Sequence, residues 1–237
     1  MVMKITCLGD SLTHGNVGYS YIDFLDKRIR AVNKGKNGDT IRGTRRRLEK
    51  ILNQSKYDSP IYVLGIGTND FLLPYLKTVS MFWFVIMGIR CKVKACIEKD
   101  LQLYKEYDKL LSLLFKNEKR VIVFGQPFIN LRNFPHGDLI KRNASMKKRA
   151  DQYDFPFIDI YRLQKERLEE DTQVYTWKRS FFLRVIDAVI MSLLPFTKDK
   201  FAKRRGLTTS VDGVHFNSNS AKILAKEVEN YLVKTQA

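Results

Sequence analysis

Three short stretches of this chain carry residue types that together can move an acyl group. They are "KITCLGDSLTHG" at residues 4–15, "LGIGTND" at 64–70 and "VDGVHFN" at 211–217. In the first, an apolar run breaks at Gly9-Asp10 and is followed by Ser11, which reads as a buried strand ending at a sheet edge. In open α/β sheets ligands bind at that edge. A serine there is either a nucleophile or the N-cap of the next helix, and the first stretch alone leaves both open.

A serine nucleophile needs a base for its proton, and near neutral pH histidine is the usual choice. The chain has three histidines. His14 is three residues past Ser11 on what reads as the same turn, so its ring need not reach the hydroxyl. His136 lies in "NFPHGD", read as a loop after the fourth strand. His215 has Asp212 three residues before it, a spacing that lets a carboxylate hold one ring nitrogen while the other faces a substrate. Most Asp-x-x-His pairs are incidental, so this one needs company. In "VNKGKNGDT" Gly38 occupies a tight turn where a backbone N–H can point into a cleft, and Asn69 offers a side-chain amide. Donors from Ser11, Gly38 and Asn69 would form an oxyanion hole, since negative charge develops on the carbonyl oxygen in the transition state.

These positions need a scaffold that gathers strand ends. "MKITCL", "PIYVLGIG", "RVIVFGQP" and "FPFIDIY" read as strands. Helices are expected over Tyr19–Ala31, Arg42–Leu52, Lys92–Lys116 and Leu139–Tyr153, with "SAKILAKEVENYLVK" closing the chain. The alternation predicts parallel βαβ units in one domain over 1–237, a three-layer α/β/α sandwich around a parallel sheet. Two apolar insertions, near 72–96 and 177–205, fit the plan poorly. In the second, Phe181, Phe182, Val185, Ile186, Val189, Ile190, Leu193 and Leu194 form a helical stripe. It is either packed on the core or a lid or interfacial helix that meets lipid, flanked by Lys178, Arg179, Arg184, Lys198, Lys200, Lys203, Arg204 and Arg205.

"GDSL", "NGDT", "GTND" and "DGVH" stand in the order and approximate spacing of the four blocks of GDSL-type, or SGNH, hydrolases, and the chain resembles that family from Ser11 to His215. The resemblance implies Ser11 as nucleophile, His215 as base and Asp212 as its orienter. It implies oxyanion donors from the Ser11 and Gly38 backbones and the Asn69 side chain, on a flavodoxin-like fold with no metal or cofactor. Asp10 and Asp70 look like turn-stabilising partners. Phe216 stands where many relatives have proline and Thr68 where glycine is common, and neither change removes a catalytic group. The insertions are longer than in minimal members and bear on substrate choice.

Composition frames the alternatives. The 237 residues hold 42 Lys plus Arg against 25 Asp plus Glu, a net charge of +17 with pI near 9.8. Such a surface favours anionic partners, or is simply basic. Cys7, Cys91 and Cys96 suit neither a disulfide framework nor a zinc site, which points to a reducing cytoplasm. No signal peptide is expected ahead of the first strand, and no apolar window approaches the ~20 residues of a membrane span. The expected function is a serine esterase for a small-molecule or lipid acyl ester, of lipase or lysophospholipase type, with peripheral contact at an anionic membrane. A carbohydrate O-acetyl esterase is the alternative within that class. A basic nucleotide or nucleic-acid module rests on charge alone: "LGIGTND" lacks the third glycine of a dinucleotide fingerprint, and Arg45–Arg47 reads as a solvated helix face. Nucleic acid is therefore not an expected partner.

Overall fold

A computed structural model of the chain describes residues 3–168, 174–177 and 181–234. Five strands, β1 (Met3–Gly9), β2 (Ile29–Gly35), β3 (Ile61–Gly65), β4 (Arg120–Phe124) and β5 (Phe157–Ile158), form an all-parallel sheet in the order β2-β1-β3-β4-β5. In chain order the helices begin with α1 (Ser11–His14), α2 (Ile41–Leu52), α3 (Thr68–Leu76), α4 (Met81–Lys94) and α5 (Asp100–Lys116). They continue with α6 (His136–Asp151), α7 (Ile160–Arg167), α8 (Phe181–Leu193), α9 (Lys198–Arg204) and α10 (Ser218–Lys234).

The period-two alternation of strand side chains sorts the core into two layers. Leu8, Tyr62, Leu64, Val121 and Val123 pack under α2, α5 and α6. Ile5, Cys7, Val63, Ile122 and Phe124 face α7 and α10, where Phe216 is also buried. This is the expected α/β/α sandwich. Chain order reverses direction between β1 and β3, so the crevice at their C-terminal ends is the topological switch point. Three glycines, Gly35, Gly9 and Gly65, lie side by side across that edge. A Cβ on Gly9 would meet the Thr13 hydroxyl at 2.3 Å, and one on Gly35 would meet the His14 nitrogen at 2.2 Å. The glycine row therefore lets α1 drop directly onto the sheet. Among the described residues no helix is long and apolar enough to cross a membrane.

Several expectations need correction. Tyr19–Ala31 is not a helix: a 3₁₀ turn spans Tyr21–Phe24, and the chain then enters β2, which also takes in the start of "VNKGKNGDT". The Asp26 carboxylate accepts the Arg28 N–H at 2.8 Å and turns the chain. Ile29 and Ala31, two apart, pack on the core, so the strand period prevails. Nor is Lys92–Lys116 one helix. α4 ends at Ala95, whose φ of 53° is left-handed, and the Cys96 N–H closes the turn on the Cys91 carbonyl at 3.0 Å. Buried Ile97 then leads into α5. His136 lies at the start of α6 rather than in a loop.

The stripe after Trp177 is the helix α8, but the core-packed alternative fails for its described side chains. Only Met191 is buried, against Ala202 and Val211, while Leu183, Ile186, Val189 and Leu193 are at least half exposed. Lys178 and Arg179, and the side chains of Phe181 and Phe182, lie outside the described residues.

Candidate active site

Ser11 is the first residue of α1, held at the edge by its neighbour: Asp10, fully buried, accepts the Leu12 N–H at 3.0 Å and caps the helix. Burial pushes the Asp10 pKa up to about 6. The Ser11 Oγ lies 3.1 Å from His215 Nε2, across 204 positions of sequence. His215 Nδ1 lies 2.9 Å from Asp212 Oδ2, while Asp212 Oδ1 accepts the backbone N–H groups of Val214 at 3.1 Å and His215 at 2.9 Å. One carboxylate thus holds both the ring and the turn that carries it. Burial works against the charge on Asp212, but His215 and these backbone donors outweigh it and hold its pKa at about 2. Burial likewise opposes a proton on His215, and the Asp212 carboxylate prevails, raising the imidazole above its ordinary value.

Gly38 and Asn69 line the same cavity as Ser11 and His215. Gly38 has φ of 67°, a left-handed turn that suits glycine. Asn69, in the first turn of α3, donates one amide hydrogen to the Asp39 carbonyl at 3.0 Å. That bond ties the two expected donor segments together and leaves the second amide hydrogen for a ligand. Asp70 is buried behind them and accepts the N–H groups of Ile41 at 2.9 Å and Ile97 at 3.0 Å. Burial raises its pKa to about 7 in spite of these donors. Asp10 and Asp70 therefore brace turns.

The structure brings together all five residues singled out from sequence and keeps the other histidines apart from them. His14 is exposed at the end of α1. His136 stacks on Phe128 with ring centroids 4.9 Å apart and meets the Tyr161 hydroxyl at 3.4 Å, and burial lowers its pKa. Among the described residues no group of three or more His, Cys, Asp or Glu gathers as a metal site.

Four supporting residues had no reading at this site in the sequence. Trp177 donates its indole N–H to the Asp212 carbonyl at 2.8 Å, and Trp83 donates to the Trp177 carbonyl at 3.0 Å. Arg47, read as part of a solvated helix face, instead turns inward: it bonds Asp39 at 2.8 Å, the Lys34 carbonyl at 2.7 Å and the Gly9 carbonyl at 3.0 Å. Only Arg46 of that run is exposed, and Arg45 is half-buried. Arg90 of α4 stands where a Gly38 Cβ would meet its guanidinium at 2.7 Å. None of the four belongs to a motif, and only their tertiary contacts reveal them.

The cavity, about 240 Å³, is walled by Leu72, Leu76, Trp83 and Met87 from α3 and α4 and by Val185 and Ala188 from α8, with Arg90 and Arg184 also lining it. Apolar walls with a few convergent polar groups are the usual make-up of a small-molecule site.

Solved structures share the whole fold. A member of the lipolytic protein G-D-S-L family from Veillonella parvula is 18% identical with a TM-score of 0.57, covering 96% of this chain and 97% of that one. A GDSL-like lipase from Bacteroides thetaiotaomicron is 13% identical with a TM-score of 0.60 over 98% and 88% of the two chains. A catalytic mutant of an acetylxylan esterase from Geobacillus stearothermophilus is 17% identical with a TM-score of 0.59 over 96% and 93%. No protein of curated function matches the sequence. The model of the GDSL-like lipase/acylhydrolase family matches residues 7–182, well over half of the chain, although it stops short of Asp212 and His215. By that match the chain belongs to the GDSL-like lipase/acylhydrolase family of ester hydrolases.

Proposed function

We propose that Ser11, His215 and Asp212 hydrolyse an acyl ester through an acyl-enzyme, and that the acyl chain is longer than acetyl. The observation that carries the reading is the hydrogen-bonded line from Ser11 Oγ through His215 to Asp212, at 3.1 and 2.9 Å. His215 Nε2 takes the serine proton as Oγ attacks the ester carbonyl, and Asp212 orients the ring and stabilises the imidazolium. The carbonyl oxygen, now negative, receives the N–H groups of Ser11 and Gly38 and the free amide hydrogen of Asn69. The tetrahedral intermediate expels the alcohol, which takes the proton back from His215. Water then attacks the acyl-enzyme with His215 again as base, releasing the acid and restoring Ser11. No metal or cofactor enters these steps.

The preference for a longer acyl chain is supported by the apolar walls of the cavity, which an acetyl group would leave mostly unfilled. A carbohydrate O-acetyl substrate is the other reading, supported by the likeness to an acetylxylan esterase. A fluorophosphonate probe and a rate profile over aryl esters of increasing acyl length test both parts. Labelling is expected at Ser11 and lost in Ser11→Ala, with kcat/KM rising from acetyl toward medium-chain esters. Labelling at another serine overturns the nucleophile, and a maximum at acetyl hands the substrate to the carbohydrate reading.

A further inference from the structure

Two helices that wall the cavity turn apolar side chains outward as well. On α4, Trp83 and Met87 point inward, while Phe82, Phe84, Val85 and Ile89 are about half or more exposed, Ile89 at 62%. On α8, Ala188 and Met191 point inward, while Leu183, Ile186, Val189 and Leu193 face water, Leu193 at 73%. Isolated exposed apolar residues are ordinary, but a run of them along two helices beside one cavity marks a surface that meets something.

Charge selects what it meets. α4 contains no acidic residue and carries Arg90, Lys92 and Lys94 in its last turns. Phe84, Val85 and Ile89 share a hollow with Arg42 and Lys92, and its one acid, Glu98, is paired with Lys77, so apolar and net basic groups lie on one surface. Beyond α8, Lys200, Lys203 and Arg204 are exposed on α9, while the acid of α8, Asp187, is taken up by Arg184 at 3.4 Å and by Arg205 at 2.5 Å. Apolar side chains ringed by cations match the boundary between acyl chains and anionic headgroups. A neutral protein groove offers no counterpart for the cations, and nucleic acid none for the apolar residues. With no described helix able to cross a bilayer, the contact is with its surface.

We propose that the outer faces of α4 and α8 seat the enzyme on an anionic lipid surface, so that the cavity mouth between them receives acyl esters from the lipid phase. The substrate part of this proposal rests on reading the cavity as the acyl site; the docking part does not.

The test is co-sedimentation of the full chain with vesicles of phosphatidylcholine alone and of an equal mixture with phosphatidylglycerol, at low and high salt. Wild type and Ser11→Ala are expected to bind the anionic vesicles alike, about tenfold or more above the neutral ones, and to lose most of that binding in high salt. Phe84→Asp with Ile89→Asp, and separately Ile186→Asp with Val189→Asp, are expected to lose about tenfold or more in binding while keeping a cooperative thermal transition. Because Ser11→Ala reports binding without turnover, vesicle binding by an inactive protein leaves docking standing if the esterase reading fails, and an active protein that ignores vesicles sinks docking alone. Equal binding to neutral vesicles, or none at low salt, overturns the proposal. So does light scattering that finds a dimer in wild type and a monomer in either double variant, which would give the surface to a second copy of the chain.

Discussion

Ser11 and His215 form one part of the cavity lining and Val185 and Ala188 of α8 another, and the two sides are held in place by different means. On the first, each group hangs from a buried strand end or a braced turn. Asp10 caps the helix that begins with Ser11, Asp212 holds both the ring and the backbone of its own turn, and Arg47 links the ends of β1 and β2 to Asp39. On the second, α8 is attached through Met191, the Asp187–Arg205 ion pair and Arg184 over the Tyr175 ring, and most of its described apolar surface is in water. Proton transfer and oxyanion stabilisation need atoms held to within about half an ångström, which over-determined bonding provides. An acyl chain is non-directional and needs only an apolar wall, which a loosely held helix can supply. Substitutions on the two sides should therefore differ in kind as well as in size.

The largest effect is expected at the rigid side. Ser11→Ala should lower kcat on a soluble aryl ester by about three orders of magnitude or more with the fold intact, read by steady-state kinetics alongside circular dichroism. Residual turnover within tenfold of wild type would mean the bonded line is structural. Next comes Asn69→Ala, for which kcat should fall about 10²–10³-fold with KM nearly unchanged, because the amide acts on charge present only in the transition state. A rise in KM at constant kcat would move Asn69 to the substrate-binding side of the comparison.

On the soft side the effect is smaller and depends on the substrate. Ala188→Phe places a ring in the cavity from α8, and kcat/KM for octanoyl esters should drop about tenfold relative to acetyl esters. An equal drop for both would show that α8 positions the catalytic groups after all.

The smallest effect lies where the sides meet. His215 must be neutral to accept the serine proton, and its pKa is raised in the folded protein, so kcat/KM should be lost as pH falls through a midpoint above the ~6.5 of free imidazole. Arg90, a neighbouring cation, disfavours the imidazolium, so Arg90→Gln should move the midpoint to higher pH. A shift in the opposite direction would show that Arg90 acts on the ring by something other than its charge.

The same division governs what the sequence makes legible. The rigid side rests on residues whose types the chemistry dictates, and each sits beside a turn signal: Gly-Asp before Ser11, Asn-Gly at Gly38, Asp-Gly before His215. Alternating strand and helix patterns are enough for β1, β3, β4 and β5, and β2 is the strand they miss. What failed to show was set by tertiary partners. Ile29 and Ala31 lie in a segment whose apolar spacing also fits a helix, and pairing with β1 decides it. Ala95 has no helix-stopping chemistry of its own, and the left-handed turn there stands beside the anchorage of Ile97 on Asp70. Trp177 reads as one more apolar residue until its N–H is seen on the Asp212 carbonyl. The exposure of α8 was undecidable for the same reason, since an amphipathic stripe has the same spacing whether it meets a core or a lipid.

The anchorage of Ile97 has a practical consequence for engineering. The segment from Leu76 to Cys96 leaves the cavity from the end of α3 and returns to it, and two bonds at its return involve main-chain atoms: the Thr40 hydroxyl to the Lys94 carbonyl at 2.8 Å, and the Ile97 N–H to Asp70 at 3.0 Å. Any sequence of suitable length supplies those atoms, whereas Asn69 and Asp70, which set the entrance, lie outside the segment. The two bonds form a clasp that does not itself read the side chains of α4, whereas Trp83, on the Trp177 carbonyl, and Arg90, beside Gly38, tie the helix to the site by their side chains. Grafting a different helix between Leu76 and Cys96 that keeps Trp83 and Arg90 would rewrite the wall of the cavity while the clasp holds the segment to Asp70 and Thr40.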